Sequence, residues 1–184
     1  MNKTIISSLL LAMTGIAGTA ALASPAPVTV GGAPMYANKN IIQNAVNSKD
    51  HTTLVAAVKA AGLVETLSGP GPFTVFAPTN AAFAKLPAAT VPTLLKPENK
   101  GQLTSVLTYH VLPGKLSATA LRAKIKAGNG RAMFKTVQGE ELTFTQAGRR
   151  LQITNSKGGK STITIADVNQ SNGVIHVVDA VLLP

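Results

Sequence analysis

Two apolar runs constrain this chain of 184 residues more than anything else in it. The first, Phe73 to Ala77, reads Phe-Thr-Val-Phe-Ala and is stopped by Pro78. The second, Gly173 to Leu183, reads Gly-Val-Ile-His-Val-Val-Asp-Ala-Val-Leu-Leu. Neither alternates cleanly between apolar and polar residues, so each predicts a strand covered on both faces. Just past Pro78, Thr79 offers an N-cap to a short helix starting at Asn80. His176 and Asp179 are the polar exceptions in the second run. Three residues apart on a strand, they face opposite ways and cannot act as a pair, so each reads as a satisfied polar group of the framework.

Between the runs the pattern is mixed. Ile41, Ile42 and Ala45 make a short helical face. Asp50 offers a cap to a helix from Thr52 to Ala61, on which Leu54, Val58 and Ala61 form one apolar stripe, and Gly62 is placed to end it. Thr90 to Leu95 is another short helix, and Pro97 sits well at the first position of the next. On that helix Leu103, Val106, Leu107 and His110 share a buried stripe. His110 there reads as a core histidine bonded to a backbone carbonyl, and Tyr109 as half-buried with its hydroxyl paired. Ala118 to Lys126 is a basic helix with Leu121 and Ile125 on its apolar side. Four short strands follow, Met133 to Val137, Glu141 to Thr145, Arg150 to Thr154 and Ser161 to Ile165, punctuated by glycines into an antiparallel meander. Asn172-Gly173 reads as the hairpin turn into the last strand.

The beginning of the chain differs in kind. Lys3, the apolar stretch Ile5 to Met13 and the small-x-small site Ala21-Leu22-Ala23 have the form of an export signal over residues 1–23, too short to span a bilayer of about 30 Å. Cleavage would start the mature chain at Ser24. Residues 24–39, rich in Pro, Gly and Ala, read as a flexible leader, and residues 40–184 as one domain. No later segment is long and apolar enough to cross a membrane.

The chain has no cysteine, which excludes disulfides, thiol catalysis and cysteine-held zinc. Its hydrophobic share is 45% and its aromatic share only 4%, so aliphatic side chains must fill the core. The net charge is +10, and the segment from Lys115 to Lys160 carries ten basic residues against only Glu140 and Glu141. Such a field attracts polyanions. No nucleophile elbow, zinc-binding His pair or phosphate loop is present, and three histidines with seven carboxylates are too few to expect a dense metal cluster. No cofactor is implied. The scarcity of aromatics among the basic residues argues against specific nucleic-acid binding.

Three segments together resemble the fasciclin domain family: Phe73 to Phe83; Leu107-Thr108-Tyr109-His110-Val111-Leu112-Pro113-Gly114; and Ile165 to Pro184, with Ala166-Asp167-Val168 leading into Asn172-Gly173-Val174-Ile175-His176. The resemblance covers roughly residues 40–184 as one copy. It implies an α+β fold, a twisted, wedge-like β-sandwich with a helical layer on one side, of the kind found in small exported bacterial members. It also implies cell adhesion or extracellular-matrix contact. In animal matrix members a Tyr-His pair and an Asp-Ile pair are implicated in partner binding, and these positions fall on Tyr109 and His110 and on Asp167 and Val168. Val168 stands where the motif carries Ile.

Three functional readings follow. The first is an exported, non-catalytic adhesion module whose partners are extracellular or cell-surface proteins or acidic polysaccharide, with self-association as a route to avidity. The second is a polyanion binder using Lys124, Lys126, Arg131, Arg149, Arg150, Lys157 and Lys160. The third, a cell-wall or polymer hydrolase, lacks a nucleophile or carboxylate pair that the sequence can name.

Overall fold

The strands formed by the two apolar runs lie side by side. In a computed structural model, which describes residues 26–184, Phe73–Pro78 pairs in parallel with Gly173–Val178, from Phe73 opposite Gly173 to Pro78 opposite Val178. The described strands in chain order are β1 (Val28–Val30), β2 (Ala33–Met35), β3 (Phe73–Pro78), β4 (Val111–Pro113), β5 (Arg131–Lys135), β6 (Glu141–Ala147), β7 (Arg150–Thr154), β8 (Lys160–Gln170) and β9 (Gly173–Val178). The helices are α1 (Ile41–Ala45), α2 (Thr52–Ala61), α3 (Val64–Ser68), α4 (Asn80–Ala84), α5 (Thr90–Leu94), α6 (Lys100–Tyr109) and α7 (Ala118–Ala127). Seven strands form one sheet in the order β4-β3-β9-β8-β7-β6-β5. The Val137 amide, two residues past β5, donates to the Val111 carbonyl on β4 at 2.8 Å, so the sheet nearly closes on itself.

Because β3 and β9 are buried on both faces, they divide the interior into two cores. Val75, Ala77, Ile175 and Val177 face the helical side, where Leu54, Val58, Leu103 and Leu107 meet them. Phe76 and Val178 face the other way, into the curled sheet, with Leu142, Phe144, Ile153 and the α7 residues Leu121 and Ile125. Phe76 is fully buried and packs against the Phe144 ring at 5.3 Å between centroids. The expected antiparallel meander is present as β5 to β8.

Several local expectations hold. Thr79 Oγ1 accepts from the Ala82 amide at 3.2 Å and caps α4, and Gly62 ends α2 in the left-handed region at φ 73. Others are corrected. The helix from Thr52 is not capped by Asp50. Asn80 does so from α4: its Oδ1 accepts from the Thr53 amide at 3.0 Å, and its Nδ2 donates to the Lys49 carbonyl at 2.9 Å. The tight turn before β9 is Ser171-Asn172, since Gln170 pairs with Gly173. Gly173 is required for a different reason: a Cβ there would lie 2.1 Å from the Phe73 carbonyl oxygen.

The export signal expected over residues 1–23 lies outside the described residues. Residues 28–35, expected as flexible leader, instead form the β1–β2 hairpin, registered from Val28 opposite Met35 to Val30 opposite Ala33. Val30 and Met35 are buried in the helical-side core at 3% and 4% exposure. Two inward side chains are enough to dock so short a hairpin, and the Pro and Gly content that suggested a linker instead makes the turn and the solvent-facing edge.

Candidate functional site

The adhesion-motif positions are framework. His110 caps the end of α6 with 3% of its surface exposed. Its Nδ1–H donates to the Val106 carbonyl at 2.8 Å, and its Nε2 accepts the Leu182 amide at 3.0 Å. With one nitrogen donating and the other accepting, the ring is held as a neutral tautomer that ties the C-terminal segment to α6. Burial pulls its pKa down to about 4. Tyr109 is more buried than the sequence suggests, fully enclosed rather than half-buried. Its hydroxyl has no hydrogen-bond partner of acceptable geometry, contrary to expectation. Burial pushes its pKa up, against a smaller opposing effect from the neighbouring Ser156.

The second pair divides. Val168 is 1% exposed and belongs to the helical-side core. Asp167 lies in an irregular stretch of the β8–β9 pairing with φ 58, a conformation uncommon for a residue other than glycine. Two bonds hold it there. Its Oδ1 accepts from the Ala118 amide at 2.7 Å at the start of α7, and its own amide donates to His176 Nδ1 at 3.2 Å. His176 passes the link on: its Nε2–H donates to the Leu116 carbonyl at 2.8 Å while the ring stacks on Phe76 at 5.6 Å. Desolvation lowers the His176 pKa. Asp179 is equally committed, its Oδ1 accepting the Thr162 amide at 2.7 Å. β9 ends at Val178, short of the expected Leu183, so Asp179 lies past the strand and not on its opposite face, and His176 and Asp179 serve separate parts of the framework.

One framework residue was missed by sequence reasoning. Asn172 Oδ1 accepts from the Ile41 amide at 3.1 Å, and its Nδ2 donates to the Leu67 and Gly69 carbonyls at 2.8 and 3.0 Å. It joins α1, α3 and the last hairpin. A turn asparagine beside glycine carries a strong local explanation, and that hid the long-range one.

Two apolar voids under the helices, each about 30 Å³, would hold about one water apiece, and they are almost wholly apolar. His51 borders the second, with Nδ1 bonded to Ser48 Oγ at 2.8 Å and Nε2 unpartnered. Among the described residues no three His, Asp or Glu side chains gather as metal ligands, and no helix is long and apolar enough to cross a membrane.

The seven basic residues expected to bind polyanions are all exposed, but the fold divides them. Lys126 on α7, Arg131 at the start of β5, and Arg149 and Arg150 at the β6–β7 turn gather at one end of the meander, since Arg131 opposes Thr145 and Arg150 opposes Ala147. Arg122, outside the expected set, joins them: its guanidinium donates to the Arg149 carbonyl at 3.4 Å. Lys157 and Lys160 lie at the opposite end, where Lys160 opposes Thr154 and Lys157 Nζ bonds the Pro184 oxygen. Glu140 and Glu141 share that end, in an open depression with Lys135 and Ser156. The length of β7 separates the two ends by about 13 Å, beyond the screening length of about 8 Å at physiological salt. Lys124, midway between Arg122 and Lys126, points to another side of α7.

A nearly closed mixed sheet with a helical layer over its central parallel pair, pinned by buried histidines, is the architecture of a fasciclin-type domain. The fasciclin domain profile matches residues 49–184, and the chain belongs to that family. Among its relatives, "Protein sll1483" of Synechocystis is 51% identical over 144 residues, covering 78% of this chain and 73% of that protein. The immunogenic protein MPB70 of Mycobacterium bovis is 37% identical, with 76% of this chain and 66% of that protein matched. The cell surface glycolipoprotein MPB83 of the same species is 34% identical over 186 residues, covering 90% of this chain and 77% of that protein. A FAS1 domain pair from the insect cell adhesion molecule Fasciclin I has the same fold, with a TM-score of 0.70 at 18% identity. The match covers 79% of this chain and 51% of the pair, so the chain spans about half of that structure.

Proposed function

We propose that this chain is an exported, non-catalytic module making adhesive contacts at a cell surface or with extracellular material. One observation carries the reading. Tyr109, His110, Val168 and His176 are buried, and His110, His176 and Asp167 are engaged in bonds that hold α6, α7 and the last strand together. The chemistry of the family motif is therefore used for architecture, and the outer surface is what remains for partners. The family supports it too, since the relatives include a cell surface glycolipoprotein and a cell adhesion molecule. Export rests on Lys3, the apolar stretch after it and Ala21-Leu22-Ala23. Contacts of one copy are weak, and avidity comes from self-association or display in many copies.

The test is direct binding of the chain from Ser24 onward to intact cells and to immobilised matrix proteins, beside an unrelated protein of equal net charge. Retention above that control at moderate salt is expected. Retention equal to the control, or turnover of a cell-wall polymer abolished by a point substitution, would overturn the reading. Cell fractionation places the protein in the periplasm or the medium.

A further inference from the structure

We propose that the partner is a linear acidic polysaccharide and that it docks along one end of the meander, in the groove between α7 and the β6–β7 turn. This rests on reading the chain as a surface-interaction module and names both the contact face and the chemistry it takes. The groove runs past Thr119, Ala123, Gly130 and Gln146, with Arg122 and Lys126 standing over it. These two are four residues apart on α7, about 6 Å along its axis on one face. Arg149, in the turn beyond Gln146, is tied to α7 by the bond from Arg122 to its carbonyl. Arg131 and Arg150 continue the positive charge onto the outer face of the same sheet end.

Three features select the ligand. First, no acidic residue lies between Lys115 and Gly139 or between Leu142 and Ala166, so nothing in these segments neutralises this end, whereas Glu140 and Glu141 dilute the other. Second, the groove is lined by Ile125 and by small or polar residues, with no aromatic side chain among them. Phe134 and Phe144 turn inward and pack edge-to-face on each other at 5.3 Å. A nucleic acid would find no base-stacking platform here. Third, Met133, the exposed methionine two residues along β5 from Arg131, lines the acidic depression and not the groove, so the groove itself offers a lipid surface no large exposed apolar side chain. Spaced cations with amide and hydroxyl groups between them suit a polymer of carboxylate or sulfate groups and sugar hydroxyls. Arg guanidinium forks pair such oxyanions bidentately.

Heparin-agarose retention of the chain from Ser24 onward tests the proposal with two double reversals of identical charge change. The variant with Lys126→Glu and Arg149→Glu should elute at about half the salt of the parent. The variant with Lys157→Glu and Lys160→Glu should elute close to the parent. Co-elution of the two variants would reduce the effect to net charge and overturn the proposal, as would failure of the parent to be retained. Stronger retention on phosphatidylglycerol vesicles or on poly(dT) than on heparin would overturn it in favour of a membrane or a nucleic acid. Should the first variant melt early, Lys126→Gln with Arg149→Gln gives the same ranking with a smaller shift. Cell binding measured on the same variants separates the two readings. Binding that persists while heparin retention ignores position leaves the adhesion module standing and removes the groove.

Discussion

His110 shows how one side chain can belong to a family motif and still have no contact with the outside. It donates to Val106 and accepts from Leu182, so a second proton on the ring would set N–H against N–H in a buried site. The folded pKa of about 4 lies below the ordinary 6.5. The unfolded chain therefore takes up this proton first as the pH falls. The stability held by neutral His110 is complete above pH 6.5, declines through the interval and is gone by about pH 4. The shift corresponds to roughly 3 kcal/mol. His176 and His51 shift in the same direction and steepen the decline. Urea unfolding across this range should show the loss, with a shallower slope in His110→Gln, which lacks the titrating ring. An unchanged slope would place the pH dependence elsewhere. Tyr109 gives the complementary case. Its hydroxyl is buried without a partner, so Tyr109→Phe removes an uncompensated polar group and should leave stability equal or up to about 1 kcal/mol higher. A loss above that size in urea melts would reveal a bond the hydroxyl makes.

Among the elements, those with the strongest local signal were the most legible. β3 and β9 announced burial on both faces through apolar runs broken only by Thr74 and His176, and they pair at the centre of the sheet. Phe76→Ala should accordingly cost about 3–5 kcal/mol, read as a lower thermal midpoint and urea midpoint. The β1–β2 hairpin was not legible. Its strands are three residues each, too short for a period to register, and each buries a single side chain fully. Met35→Ala tests the corrected assignment: a buried residue there should cost about 2–5 kcal/mol, whereas a flexible leader would give no change in the melt. Caps supplied from a distance were hidden for a related reason. Asn80 reaches α2 across 27 positions, and Asn172 reaches Ile41 across 131, and no local window contains both partners.

For the whole molecule, the division into two cores follows from β3 and β9 having two apolar faces each, and the helical layer and the curled sheet cover one face apiece. That arrangement was implied by the family resemblance and is the fold observed. The charge map is where topology adds most. The run from Lys115 to Lys160 is continuous along the chain, but the antiparallel strands carry its cations to opposite ends, which only the register decides. Adhesion-motif positions in the interior and recognition on the surface make one account, and the His110 ring tests it most directly. Its proton titration can be followed by NMR in the folded chain. The account predicts a neutral ring protonated at Nδ1 that resists protonation down to about pH 4. A ring titrating near the ordinary 6.5, in a chain that remains folded, would put the motif in contact with solvent and contradict it.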